Sequence, residues 1–151
     1  MLSEPICNID DSGNKKWRLN GRLHREDGPA VEFVDGSKYW YLNGNQHRLD
    51  GPAVEFPNGT KQWCKHGEFH REDGPAIIRP NGEMEWYIND KWHRLDGPAI
   101  EYADGTKEWW INDIGVTEEI THWAKENDID LDNLTEDDKA LIKLIWADYG
   151  K

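Results

Sequence analysis

Five tryptophans, Trp17, Trp40, Trp63, Trp86 and Trp109, recur every 23 residues, and His24, His47, His70 and His93 follow the first four at a constant offset. A period of this length means that one small supersecondary unit is repeated, each copy burying its apolar side against its neighbours. One unit reads WYLNGNQHRLDGPAVEFPNGTKQ, from Trp40 to Gln62. The pattern begins within a unit before Trp17 and ends within one after Trp109, so the folding unit is offset from this frame.

Each unit carries two turn signals. One is Asn-Gly or a relative, at Asn20–Gly21, Asn43–Gly44, His66–Gly67, Asn89–Asp90 and Asn112–Asp113. The other is Asp-Gly or Asn-Gly, at Asp35–Gly36, Asn58–Gly59, Asn81–Gly82 and Asp104–Gly105. Such pairs tolerate positive φ and favour tight hairpins. The runs between them, such as AVEF and KYWYL, are β-branched and aromatic with a period of two, which predicts strands. The Gly-Pro after each loop aspartate ends one hairpin and redirects the chain, because proline has no N–H for a ladder. The expected fold is mainly β: an elongated stack of β-hairpins over residues 1–116, whose Trp, Leu/Ile, Val/Ile and Phe/Tyr columns bury one another.

After Trp110 the period stops. TEEITHWAKEN opens with Thr117 and acids in a first turn and spaces Ile120, Trp123 and Ala124 helically. TEDDKALIKLIWADYG has the cap pattern Thr135-x-x-Asp138 and places Leu141, Leu144 and Ile145 on one face. Residues 117–151 are therefore expected to form a two-helix cap over the open layer at Trp109–Ile111.

The heptapeptides HREDGPA (24–30, 70–76) and HRLDGPA (47–53, 93–99) have the ingredients of an active site in every unit. No serine, threonine or cysteine keeps a fixed place beside them to act as nucleophile, and two ligands per unit fall short of a tight metal site. A feature present in every unit serves what every unit needs. Asp27, Asp50, Asp73 and Asp96 are read as turn residues that accept hydrogen bonds from backbone donors and from the adjacent Arg and His. The alternative is a ladder for an anionic ligand such as a nucleotide, made of His24, Arg25, His47, Arg48, His70, Arg71, His93 and Arg94.

The unit resembles the MORN (membrane occupation and recognition nexus) repeat, in which an Asn-Gly turn is followed by His and later by an Asp-Gly turn. It is more similar still to a variant in uncharacterised proteins of bacteriophages and large DNA viruses, with the theme W-x-N-G-x-x-H-R-x-D-G-P-A. The likeness covers residues 14–113. It departs from the standard unit in having Arg25, Arg48, Arg71 and Arg94 where glycine is usual. The resemblance implies a scaffold or binding module rather than an enzyme, with no cofactor.

The 151-residue chain has a net charge of −12, which opposes broad binding to nucleic-acid phosphates or anionic membranes and suits a basic protein surface. Half of that charge lies in residues 117–151, so acidity is spread along the molecule. Cys7 and Cys64 are too few for a disulfide framework, and the start of the chain lacks the basic and apolar runs of a secretory signal; a cytoplasmic location is expected.

If the constant residues build the stack, recognition belongs where units differ. The third unit, WCKHGEFHREDGPAIIRPNGEME, departs most. Lys65, His66, Phe69 and Arg79, with the additional Trp92 of the next unit, are the candidate partner-binding residues, since aromatic and arginine side chains are favoured interface anchors. The expected function is a non-enzymatic module, in the manner of a phage or viral accessory factor that binds and modulates a host protein. The alternatives are a sponge for an anionic small ligand and, from a likeness to bacterial cell-wall-binding repeats, a glycan binder.

Overall fold

The structure, a computed structural model, describes residues 4–147 and 149. Within them lie 19 short strands and two helices. Each unit makes two hairpins set at different levels. Val54–Glu55 and Lys61–Gln62 form one, closed at Asn58–Gly59. Cys64–Lys65 and Glu68–Phe69 form the other, closed at His66–Gly67. Hairpins of the first kind join edge to edge: Lys38–Tyr39 pairs with Val54–Glu55, and Lys61–Gln62 with Ile77–Ile78, so one antiparallel sheet of eleven strands runs the length of the array. From Tyr41 onward, hairpins of the second kind remain two-stranded and stack as a second row; the first, closed at Asn20–Gly21, stays joined to the long sheet.

The recurrent tryptophan ties the rows together through its backbone. The Trp40 N–H donates to the Ala53 carbonyl at 2.8 Å, and the Trp40 carbonyl accepts the His47 N–H at 3.0 Å; Trp17, Trp63 and Trp86 repeat both bonds. Turn chemistry follows the two signals. Asn43 and Gly44 both have positive φ, 52° and 91°, as a two-residue hairpin twisted to match its strands requires. In the Asp35–Gly36 turn only the glycine is left-handed, and the Asp35 carboxylate accepts the Ser37 N–H at 2.8 Å.

Val31, Val54, Ile77 and Ile100 are buried as the alternation predicts, and Ala30, Ala53, Ala76 and Ala99 beside them are fully enclosed, as is Val54. The rows approach closely where each Trp N–H meets an Ala carbonyl, which leaves space for a methyl group. The first four repeat tryptophans are half-buried and Trp109 is buried, whereas Phe33 and Tyr102 leave more than a third of their surface exposed.

Helices α1 (Thr117–Glu126) and α2 (Glu136–Trp146) close the C-terminal end. Ile120, Ile142 and Trp146 share one core with Trp109, Ile111 and Val116, and Leu95 packs against it. Thr135 caps α2 by the expected box, its hydroxyl accepting the Asp138 N–H at 3.2 Å while Asp138 accepts the Thr135 N–H at 2.9 Å. Thr117 does not cap α1 in that way; its hydroxyl accepts the Trp109 N–H at 3.0 Å, securing the helix to the last hairpin. The apolar face expected for α2 is also different. Leu144 is 77% exposed and Leu141 and Ile145 are exposed too, while Ile142 and Trp146, four residues apart, face inward. Turning this way buries the indole, the larger apolar surface, against the open end of the stack.

Candidate functional site

The His-Arg-x-Asp-Gly-Pro-Ala loop is one geometry used four times. The Arg48 guanidinium lies over Trp40, its Cζ 4.2 Å from the ring centroid, while Nε donates to Asp50 at 2.8 Å and Nη1 to the Pro52 carbonyl at 3.2 Å. Arg25, Arg71 and Arg94 stand likewise over Trp17, Trp63 and Trp86 and donate to Asp27, Asp73 and Asp96. The loop glycine leaves room for the guanidinium: a Cβ at Gly51 would lie 3.0 Å from the Arg48 Cζ, and one at Gly97 2.6 Å from the Arg94 Cζ, where something must shift. Hydrogen bonding from the arginine, then its charge, holds the Asp27, Asp50 and Asp73 carboxyls below their usual range.

The histidines do not donate to these aspartates. Each reaches the next unit instead, where Nδ1 accepts the backbone N–H of the first left-handed turn residue. His24 meets Asn43 at 3.1 Å, His47 meets His66 at 3.1 Å, His70 meets Asn89 at 3.3 Å and His93 meets Asn112 at 3.3 Å. At His47 and His93 that donor alone meets Nδ1 and places the ring proton on Nε2; at His24 and His70 Nδ1 also meets the Asn43 and Asn89 Oδ1 atoms, at 3.1 and 2.8 Å, so the direction of those bonds follows the tautomer. In the HRED loops Nε2 faces an acid, Glu26 at 3.6 Å and Glu72 at 3.3 Å; in the HRLD loops the equivalent residue is Leu49 or Leu95. Burial lowers the pKa of His47, with the neighbouring His66 and Lys65 acting in the same sense. Burial also lowers that of His93, against a smaller opposing effect of its bond to Asn112. The loop thus joins its own tryptophan to the following turn. Its Arg Nε and Nη1 and its His Nδ1 are engaged within the stack.

Cys64 is the one thiol in the array beyond the first strand. Burial, and then Asp90, push it up to about 12, so it stays protonated at neutral pH.

The variable residues divide between two faces. Phe69, Tyr87, Trp92 and Trp110 form a half-buried aromatic column across successive small hairpins, with centroid spacings of 5.4, 5.6 and 5.3 Å. Below it Glu85 is buried and accepts from the Tyr87 hydroxyl and the Trp92 Nε1, each at 3.0 Å, and from the Arg79 guanidinium. Burial favours the neutral acid here, but the bonds from Trp92, Arg79 and Tyr87 outweigh it and keep Glu85 below its usual range. Phe69, Arg79 and Trp92, far apart in sequence, therefore belong to one assembly centred on Glu85 and Tyr87.

Lys65 and His66 lie elsewhere. Cys64 pairs with Phe69 and Lys65 with Glu68, so Lys65 projects from the opposite strand face. It lines an open groove of about 680 Å³ between loops 47–53 and 70–76, beside Leu49, which is 78% exposed. His66 occupies the turn, its ring 4.5 Å from that of His47. In the groove one unit further on, Ile88 takes the place of Lys65, and Lys143 of α2 lines the wall.

Glu85 and Tyr87 were not among the residues singled out by sequence. The available signal was the pairing of an acid at the register position of Tyr39 and Gln62 with an added indole seven residues later. No family model matches the chain, and no curated protein matches it.

Proposed function

We propose that this chain is a non-enzymatic protein-binding scaffold of MORN-like repeats, in which the constant loops build the stack and the irregular third and fourth units engage a partner. The observation that carries this reading is the half-buried column Phe69–Tyr87–Trp92–Trp110, seated on the Arg79–Glu85 pair where the repeat pattern breaks. Stacked aromatics and arginine held by internal bonds offer large contact area at low entropic cost, the character of interface hot spots. The net charge of −12 favours a partner with a basic surface. The resemblance of the units to repeats in phage and large-virus proteins supports a role as an accessory factor that binds and modulates a host protein in the cytoplasm.

The test is affinity capture from the natural host, with wild type compared with Phe69→Ala and Trp92→Ala. One stoichiometric host protein retained by wild type and lost by at least one variant of unchanged circular dichroism is the expected result. A nucleotide released on denaturation, or capture that survives both variants but fails on charge reversal within residues 128–138, would overturn it.

A further inference from the structure

Three of the four loop arginines have a sheet carboxylate as a further partner. Arg25 Nη1 lies 3.4 Å from Glu32, Arg48 Nη1 3.4 Å from Glu55 and Arg94 Nη1 3.0 Å from Glu101. In the third unit that position is Ile78. Arg71 keeps its other contacts, Nε to Asp73 at 2.8 Å and Nη1 to the Pro75 carbonyl at 3.1 Å, and stands 4.0 Å over Trp63 as its counterparts stand over theirs. The guanidinium is thus held in the common position without the common acceptor.

The sheet around it changes in the same sense. Its Arg-side face alternates acid and base across the strands, Glu32 with Lys38, Lys38 with Glu55, Glu55 with Lys61, and later Glu101 with Lys107. Ile78 and Met84, directly paired and both half-buried, interrupt that ladder. Lys61 consequently has Glu55 on one side and Ile78 on the other, where Lys38 has two glutamates. Relative to the other units this face has lost one carboxylate, at Ile78, and one ammonium, at Met84, so Arg71 and Lys61 keep their charges beside apolar surface.

We infer that Arg71, Lys61, Ile78 and Met84 form a subsite for an aliphatic carboxylate carried by a protein partner. The carboxylate binds Arg71 Nη1 where Glu32, Glu55 and Glu101 bind in the other units, and Ile78 and Met84 receive the methylene groups behind it. A guanidinium already fixed by stacking and two acceptors loses little freedom on gaining a third, and the resulting bond is charge-assisted. The acidic surface as a whole disfavours free anions, so the carboxylate is expected on a segment that is otherwise neutral or basic. This inference rests on the reading of the chain as a protein-binding scaffold and names one group its partner brings.

The test uses the whole chain labelled for NMR, following the four loop-arginine Nε–H signals and the Ile78 and Met84 methyls. Acetyl-Leu-Glu-Leu-amide supplies a side-chain carboxylate, acetyl-Leu-Leu a terminal one, and acetyl-Leu-Gln-Leu-amide neither. Saturable shifts at Arg71, Ile78 and Met84 with one or both carboxylate peptides, absent with the Gln peptide and absent at Arg25, Arg48 and Arg94, are expected; the responding peptide tells a side chain from a chain terminus. Ile78→Glu, which restores the residue usual at this register, should weaken that binding at least tenfold and raise the melting temperature. Equal shifts at all four arginines, no response to either carboxylate peptide, or unchanged peptide binding by Ile78→Glu would overturn the subsite. A host protein captured equally well by Ile78→Glu and wild type would also overturn it, while leaving the scaffold reading in place.

Discussion

His47 Nδ1 accepts the backbone N–H of His66 at 3.1 Å, so an imidazole of one unit holds the left-handed turn of the next. The bond needs a lone pair on Nδ1 and is lost when the ring gains a second proton. Since the folded pKa of His47 and His93 lies below the ordinary value of 6.5, the unfolded chain takes up protons first as pH falls. Stability should therefore be full above about pH 7 and decline as pH drops through about 6.5 towards the folded values. Asp27, Asp50 and Asp73 do not contribute in this window, because their pKa values are lowered from 3.8. Urea midpoints at pH 8 and pH 5.5 measure the effect; equal midpoints would show that these rings are not held neutral.

Gly97→Ala should destabilise by about 1–3 kcal/mol, the range for overpacking a filled site. A Cβ there would be 2.6 Å from the Arg94 Cζ, and that guanidinium is fixed by Trp86, Asp96, the Pro98 carbonyl and Glu101. In an Arg94→Ala background the glycine substitution should cost little more. Chemical denaturation of the two single variants and the double variant decides; additive losses would mean the guanidinium is not what the glycine accommodates. Asp50→Ala should lower the melting temperature less than Arg48→Ala, because Asp50 meets only one of the arginine's donors.

Glu85→Ala should cost about 1–3 kcal/mol for the half-buried donors it strands, the Tyr87 hydroxyl, the Trp92 indole and the Arg79 guanidinium. Glu85→Gln, which keeps one of the two acceptor oxygens and removes the charge, should lose less. Tryptophan fluorescence during unfolding reports both the midpoint and the setting of Trp92. Equal losses in the two variants would mean that charge outweighs hydrogen bonding at this site.

On α2, Leu144→Asp should change stability by no more than about 0.5 kcal/mol, whereas Ile142→Ala should cost about 2–5 kcal/mol, as for a core aliphatic residue. Leu144 is 77% exposed and Ile142 is 1% exposed. Thermal melts compare the pair, and the reverse order would mean that the helix sits with its other face inward.

What the sequence determined by itself is everything set within a few residues of chain. Gly44 and Asn43 at positive φ, the Asp35 turn, the strand alternation around Val31 and the Thr135–Asp138 cap are local requirements of backbone geometry and unpaired N–H groups, and each residue type states its requirement directly. The 23-residue period added that these pieces stack. Tertiary structure decided which atoms the stacking brings together. The reach of His47 to His66, the glycine-backed stacking of Arg48 on Trp40, the burial of Glu85 under Trp92 and the turning of α2 onto Ile142 and Trp146 all depend on how neighbouring elements are offset and rotated. Those offsets are set by the balance of apolar burial and buried-donor satisfaction over several units at once. A polar residue such as Glu85 reads alone as a surface acid, and only its three donors make it a core residue.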